Sequence, residues 1–156
     1  MVEHWGVGVT DYFVQNGTGK LVNEELVTPD AIIKRSGKYS ARITTNQNRD
    51  MDTVFFRSNA YSNGFVAGDK MHASIWYQTD GNADAQMAVL HHGGFDKNNR
   101  SSDLANLPKQ PSTFKQHCIS FIAGEVIILA VRVQGLGTLW VDDAFVGHGD
   151  GGCPPQ

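Results

Sequence analysis

The chain has 156 residues, is 40% hydrophobic and 19% charged, and carries a formal charge of −3. It is long enough for one domain with a real core, too apolar to stay disordered, and not basic enough to point to nucleic acid or an anionic membrane as partner. No apolar run approaches the roughly 18 residues that span a bilayer, and seventeen glycines with few helical patterns favour an all-β chain.

The start, Met1-Val2-Glu3-His4-Trp5, has neither the basic region nor the apolar core of a signal peptide. It fits the start of a module excised from a longer secreted chain. Val7 to Val14 is an expected entry strand. Asn16-Gly17-Thr18-Gly19-Lys20 is a turn that lacks the spacing of a phosphate loop. Leu21 to Val27 reads as a strand or a short helical turn. Pro29-Asp30 punctuates it, and Ala31 to Lys34 begins a further strand.

Tyr39 to Thr45 alternates, with Tyr39, Ala41 and Ile43 on one face and Ser40, Arg42 and Thr44 on the other. That is the pattern of a half-buried antiparallel strand. Met51 to Arg57 is the next strand, followed by a loop bearing Tyr61. In Met71 to Gln78, Met71, Ala73, Ile75 and Tyr77 form the apolar face, and His72, Ser74, Trp76 and Gln78 the opposite one. The alternation puts the Trp76 indole among polar neighbours, away from the core. Ala85 to His92 is a strand, and Gly93 to Thr113 reads as one long loop of the kind that often carries function.

Phe114 to Ile122, Val126 to Val133 and Thr138 to Val146 then read as three strands separated by short glycine turns. A helix is excluded because Gly135 and Gly137 would sit in its interior. In the second of these strands Ile127, Leu129, Val131 and Val133 point inward. Residues 149–156 are a Gly/Pro linker tail after a module spanning 1–148. No internal repeat is visible. The two cysteines, Cys118 and Cys153, have two readings: a disulfide pinning the tail to the sandwich in an oxidising compartment, or a buried thiol and a free one.

Three of these segments carry a family resemblance. In chain order, Ser36-Gly37-Lys38-Tyr39-Ser40-Ala41-Arg42-Ile43, Val66 to Tyr77 and Thr138-Leu139-Trp140-Val141-Asp142-Asp143 resemble the strands, in the same order, of carbohydrate-binding modules of the galactose-binding-domain-like β-sandwich type. The resemblance covers about two thirds of the chain. It implies a single antiparallel β-sandwich of jelly-roll type. It also implies a non-catalytic, extracellular, monomeric module that binds a polysaccharide on a concave sheet. Such a module tethers a covalently linked, glycan-degrading enzyme to a β-glycan of plant or algal cell wall.

Stacking aromatics and planar polar groups suit sugar rings. Trp76 is the expected platform, with Arg132, Gln134, Gln78, His72 and Arg42 near it if the strands pair as in the family, and Trp5 or Tyr61 as further aromatics. Arg42, Arg57, Arg132 and the histidines leave an acidic glycan in play beside a neutral one. The resemblance further implies a structural Ca²⁺ held by Asp142, the Lys38 backbone and an N-terminal acid. Glu3 is the nearest match for that acid and Asp11 the second, although no clear N-terminal motif is present. The other reading of Asp142 and Asp143 is that they cap backbone N–H groups.

His91-His92 would face opposite sides of a strand, and the other histidines are scattered, so catalytic zinc is not expected. Asp80, Asp84, Asp96 and Asp103 lie in loops and turns with no recognisable catalytic motif. Two other functions remain open: a small β-sandwich lyase or hydrolase, and a structural or attachment domain.

Overall fold

The computed structural model describes residues 5–6, 27–45, 53–58, 62–92 and 100–153, and side chains for all of these except 5–6, 53–58, 91–92, 100–102 and 134. The strands are β1 Trp5–Gly6, β2 Val27–Asp30, β3 Ser40–Thr45, β4 Thr53–Ser58, β5 Lys70–Gly81, β6 Asp84–His92, β7 Arg100–Leu107, β8 Lys115–Ile122, β9 Val126–Gln134 and β10 Gly137–His148. They form two five-stranded sheets: sheet I in the order β1-β4-β9-β6-β7, and sheet II in the order β2-β3-β10-β5-β8. Every pairing is antiparallel. The protein is the all-β sandwich of jelly-roll type that the sequence predicts.

Alternation builds the core. Along β5, Met71, Ala73, Ile75, Tyr77 and Thr79 are buried, while His72, Trp76 and Gln78 on the opposite face are half-buried. Ile127, Leu129, Val131 and Val133 of β9 meet them from the other sheet within one apolar cluster that also holds Ile43, Met87, Val89, Ile119 and Leu139. β9 departs from alternation: Ile128 and Ala130, facing away from that cluster, are also buried, as is Ala88 beside Ala130 on β6. A central strand covered on both faces reads as a continuous apolar run.

Several expectations need correction. β7 lies inside the expected 93–113 loop; its sequence, Arg-Ser-Ser-Asp-Leu-Ala-Asn-Leu, is poor in β-branched and aromatic residues, so cross-strand pairing with β6 makes it a strand where propensity does not. The segment after it is tied to β5: the buried Tyr77 hydroxyl donates to the Pro108 carbonyl at 2.8 Å, and the Thr79 N–H donates to the Gln110 carbonyl at 2.9 Å. Residues 31–39 form bends, not a strand, and Tyr39 is exposed ahead of β3. The glycine connections after β8 and β9 are not hairpins. β8 and β10 belong to sheet II and β9 to sheet I, so each connection crosses the sandwich.

The expected tail also differs. β10 runs to His148, and residues 149–153 turn back onto sheet II. The Gly149 N–H donates to the Lys70 carbonyl at 2.8 Å, and Cys153 is bonded to Cys118 of β8, with Cα atoms 5.4 Å apart. Of the two cysteine readings, the structure shows the disulfide. The expected entry strand Val7–Val14, Glu3, Asp11, Tyr61 and Asp96 lie outside the described residues.

Candidate functional site

The expected ligand residues do not converge. β9 carries Arg132 and Gln134 in sheet I, whereas β5 and β3 carry His72, Trp76, Gln78 and Arg42 in sheet II. Arg132 faces away from the core on sheet I, and His72, Trp76, Gln78 and Arg42 do so on sheet II, so these side chains lie on opposite outer faces of the sandwich. The grouping of Arg132 and Gln134 around Trp76 is therefore corrected. It assumed that β5 and β9 are neighbours, and the crossings before and after β9 put them in different sheets. Trp5 is in β1 at the edge of sheet I, paired with Ser58.

On sheet I, Arg132, Gln86 and Asn106 are successive register partners across β9, β6 and β7, so one polar row crosses three strands. Phe55 of β4 holds the register position opposite Arg132, and Gln134 lies two residues further along β9, opposite Asp84. The Gln86 amide Nε2 donates to Asn106 Oδ1 at 2.9 Å. That bond orients both amides and leaves the Gln86 oxygen and the Asn106 nitrogen for a ligand. The row borders a groove of about 520 Å³ lined also by Asp84, Pro108 and Lys109. Leu104, two residues before Asn106 on β7, is exposed.

On sheet II the chain covers much of its own outer face. The Arg35 guanidinium lies over the Trp76 indole, 3.7 Å from the ring centroid, and its Nη1 reaches Asp143 Oδ2 at 2.6 Å. One face of Trp76 is thus occupied by a cation–π contact. Trp140 is buried, and its indole N–H donates to Asp30 Oδ2 at 3.0 Å. Asp30 also accepts the Ile32 and Ile33 amides, at 2.8 and 2.9 Å. Those bonds, the Ile33 amide first and the Trp140 indole next, hold the Asp30 carboxyl below its ordinary value. Arg42 donates Nε to Thr28 Oγ1 at 3.3 Å, which engages it between β2 and β3.

The calcium expectation can be tested on the Asp142 carboxylate. A register shift in β10 between Asp142 and Phe145, with Asp143 at φ 48°, turns both acids toward residues 35–36. Asp142 Oδ2 accepts the Arg35 and Ser36 amides at 2.8 and 3.1 Å, and Oδ1 accepts the Asp143 amide at 2.8 Å. Three of about four lone-pair directions are used. Calcium takes six to eight oxygens, and among the described residues no group of three His, Cys, Asp or Glu could hold a metal. Lys38 is exposed, and Glu3 lies outside the described residues. Among the described residues, the Asp142 carboxylate fills the capping role. The Asp142-Asp143 pair in the sequence could not separate the two, because two of the three amides that Asp142 caps, those of Arg35 and Ser36, lie more than a hundred residues away.

A second groove, of about 670 Å³, runs over β5 and β8 and is lined by His72, Ser74, Trp76, Gln116, His117 and Phe145 among others. Burial, and then the charge of Lys115, hold the His117 imidazole below its ordinary value; its ring stands edge-on to the buried Tyr77, centroids 6.5 Å apart, on the core side of β8. Phe145, Gln116 and Gln86 had no part in the sequence-based site. Strand alternation could have flagged Phe145 only if the β10 bulge had been known.

No protein-family model matches the chain, and no curated protein matches it. Solved structures do. A family 16 carbohydrate-binding module is 6% identical, with a TM-score of 0.59 over 78% of this chain and 84% of that one. The C-terminal family 22 carbohydrate-binding module of Clostridium thermocellum Xyn10B is 13% identical, with a TM-score of 0.59 over 97% and 89%. The enzymatically active domain of bacteriophage CBA120 tailspike protein 4 is 11% identical, with a TM-score of 0.62 over 78% of this chain but 17% of that one. The chain has the β-sandwich fold of these carbohydrate-binding modules.

Proposed function

We propose that this protein is a non-catalytic carbohydrate-binding module whose glycan lies across the outer face of sheet I. The observation that carries the proposal is the Arg132–Gln86–Asn106 row. Its members stand on neighbouring strands about 4.8 Å apart, a spacing comparable to one sugar unit, and Gln86 and Asn106 offer planar amide groups. Sugar hydroxyls pair with such groups in donor–acceptor fashion. The amide–amide bond between Gln86 and Asn106 lowers the ordering cost of binding. A fold shared with carbohydrate-binding modules supports the same reading.

Its ligand is a neutral β-glycan of plant or algal cell wall, and its service to a covalently linked enzyme is local concentration on the polymer. The Cys118–Cys153 disulfide supports an extracellular, oxidising setting. The protein works as a monomer and needs no metal to bind sugar.

The test is affinity electrophoresis of the wild type, Gln86→Ala, Asn106→Ala and Arg132→Ala against neutral and acidic polysaccharides. Retardation by one neutral β-glycan, weakened about tenfold or more in each variant, is expected; each such step is about 1.4 kcal/mol. Retardation that all three variants retain would remove the glycan from this face, and retardation by acidic polymers alone would reverse the choice of neutral sugar. Turnover of the polymer that survives re-purification would favour a small lyase or hydrolase. An attachment domain is the second reading; light scattering showing an obligate oligomer would support it.

A further inference from the structure

The groove on sheet II is not used by the reading above, and its construction points to a ligand of its own. Ser74 is its floor. On β5 the large side chains of His72 and Trp76 stand on either side of this short one, and across the sheet Ser74 faces Phe145 of β10 and Cys118 of β8. Phe145 is 56% exposed. Its ring leans along its own strand over Gly147: a Cβ there would lie 2.6 Å from Cε1 and 2.9 Å from Cζ. One side of the ring is thereby set against the backbone and the other is left outward.

His72, the cross-strand partner of Gly147, lies beside it with ring centroids 5.5 Å apart. The His72 ring is held by the tail. Its Nδ1 is 3.1 Å from the Gly149 carbonyl, and a Cβ on Gly151 would come within 2.5 Å of its Cγ. Glycines at 147 and 151 thus make room for an aromatic shelf, and the Cys118–Cys153 bond holds the tail that forms one wall. The opposite wall is Trp76 with Arg35 and Asp143. Gln116, the cross-strand partner of Trp76, supplies an amide.

We propose that this groove is a second sugar-contact site, independent of the sheet I face. Phe145 stacks on the C–H face of one pyranose ring, and Gln116 and Asp143 take its hydroxyls. A protein-docking patch would expose several apolar side chains together. Here one outward aromatic is ringed by an amide, a carboxylate and the His72 imidazole, a lining suited to a small ligand with one flat apolar face and a polar rim. With a site on each outer face, one molecule could bridge two glycan chains.

The experiment is a titration of the ¹⁵N-labelled full chain with soluble β-1,4-linked gluco-, xylo- and galacto-oligosaccharides. The amides of residues 145–152 and the Trp76 indole N–H are followed. One oligosaccharide should move these signals along a single saturating curve. Phe145→Ala should weaken that curve at least tenfold, Gln116→Ala should weaken it in a chain whose remaining spectrum is unchanged, and Gln86→Ala should leave it intact. Shifts confined to β6, β7 and β9, shifts at 145–152 that survive Phe145→Ala, or no shift with any of the sugars would each overturn the proposal. Shifts confined to 145–152 would sustain it while removing the glycan from sheet I.

Discussion

At the residue scale, two buried acids show how a polar group is kept inside this sandwich. Asp30 spends its oxygens on the Trp140 indole and two backbone amides. Its folded value is depressed, so the stability it contributes is fully present above about pH 3.8 and is lost as pH falls through the lower folded value. Trp140→Phe removes one donor while keeping the ring. We expect a loss of about 1–2 kcal/mol in urea unfolding and an acid transition that begins at higher pH. An unchanged acid transition would show that the indole does not hold the carboxyl down. Asp142 caps the Arg35, Ser36 and Asp143 amides. Asp142→Ala leaves these donors without their acceptor, and the expected cost is about 2–3 kcal/mol, the same in chelator as in added calcium. A loss that vanishes in chelator would restore the cation.

At the scale of elements, the corners carry the constraints. Gly137 opens β10 where the β9–β10 crossing passes the β5–β6 corner. A Cβ there would overlap the Asp80 carbonyl oxygen and lie 2.7 Å from the Ala83 nitrogen, while the Gly137 N–H already donates to Thr45 Oγ1 at 2.9 Å. Backbone atoms on both sides cannot give way as a side-chain tip would. Gly137→Ala should therefore cost about 2–4 kcal/mol, seen as a lower thermal midpoint; a midpoint within error of wild type would mean that the two corners move apart freely. The tail is the second constraint. Cys118 and Cys153 are 35 residues apart in sequence, and a crosslink of that span contributes about 2–4 kcal/mol. Cys153→Ser should lose about that much in guanidinium unfolding and release the tail from His72. A variant as stable as wild type would show that the tail docks without the bond.

At the scale of the whole molecule, the sandwich separates two chemistries. Arg132, Gln86 and Asn106 face one way from sheet I, and Phe145, His72 and Trp76 face the other way from sheet II, with the apolar cluster between them. Sites that share no partners across a packed core behave additively, to within about 0.5 kcal/mol. The double variant Gln86→Ala/Phe145→Ala should therefore lose the sum of the two single binding losses, measured by calorimetry with the same oligosaccharide. A double loss well short of the sum would mean that the two faces belong to one site.

Much of this was legible in the chain alone, because strand periodicity is local. Alternation placed Met71, Ala73, Ile75 and Tyr77 inward and Trp76 outward, and glycine turns bounded β8, β9 and β10 close to where the structure has them. The three segments that carry the family resemblance led to the β-sandwich. β7 was not legible, since Ser, Asp and Asn become a strand only when β6 offers its edge. Nor was the fate of the Trp76 ring, which depends on Arg35 arriving from a connection more than forty residues earlier. A short glycine turn looks the same in sequence whether it folds a strand back beside its neighbour or throws it across to the other sheet. The sequence by itself determined strands, faces and core. Which strands became neighbours, and so which polar side chains share a surface, was decided only by long-range pairing and packing between the two sheets.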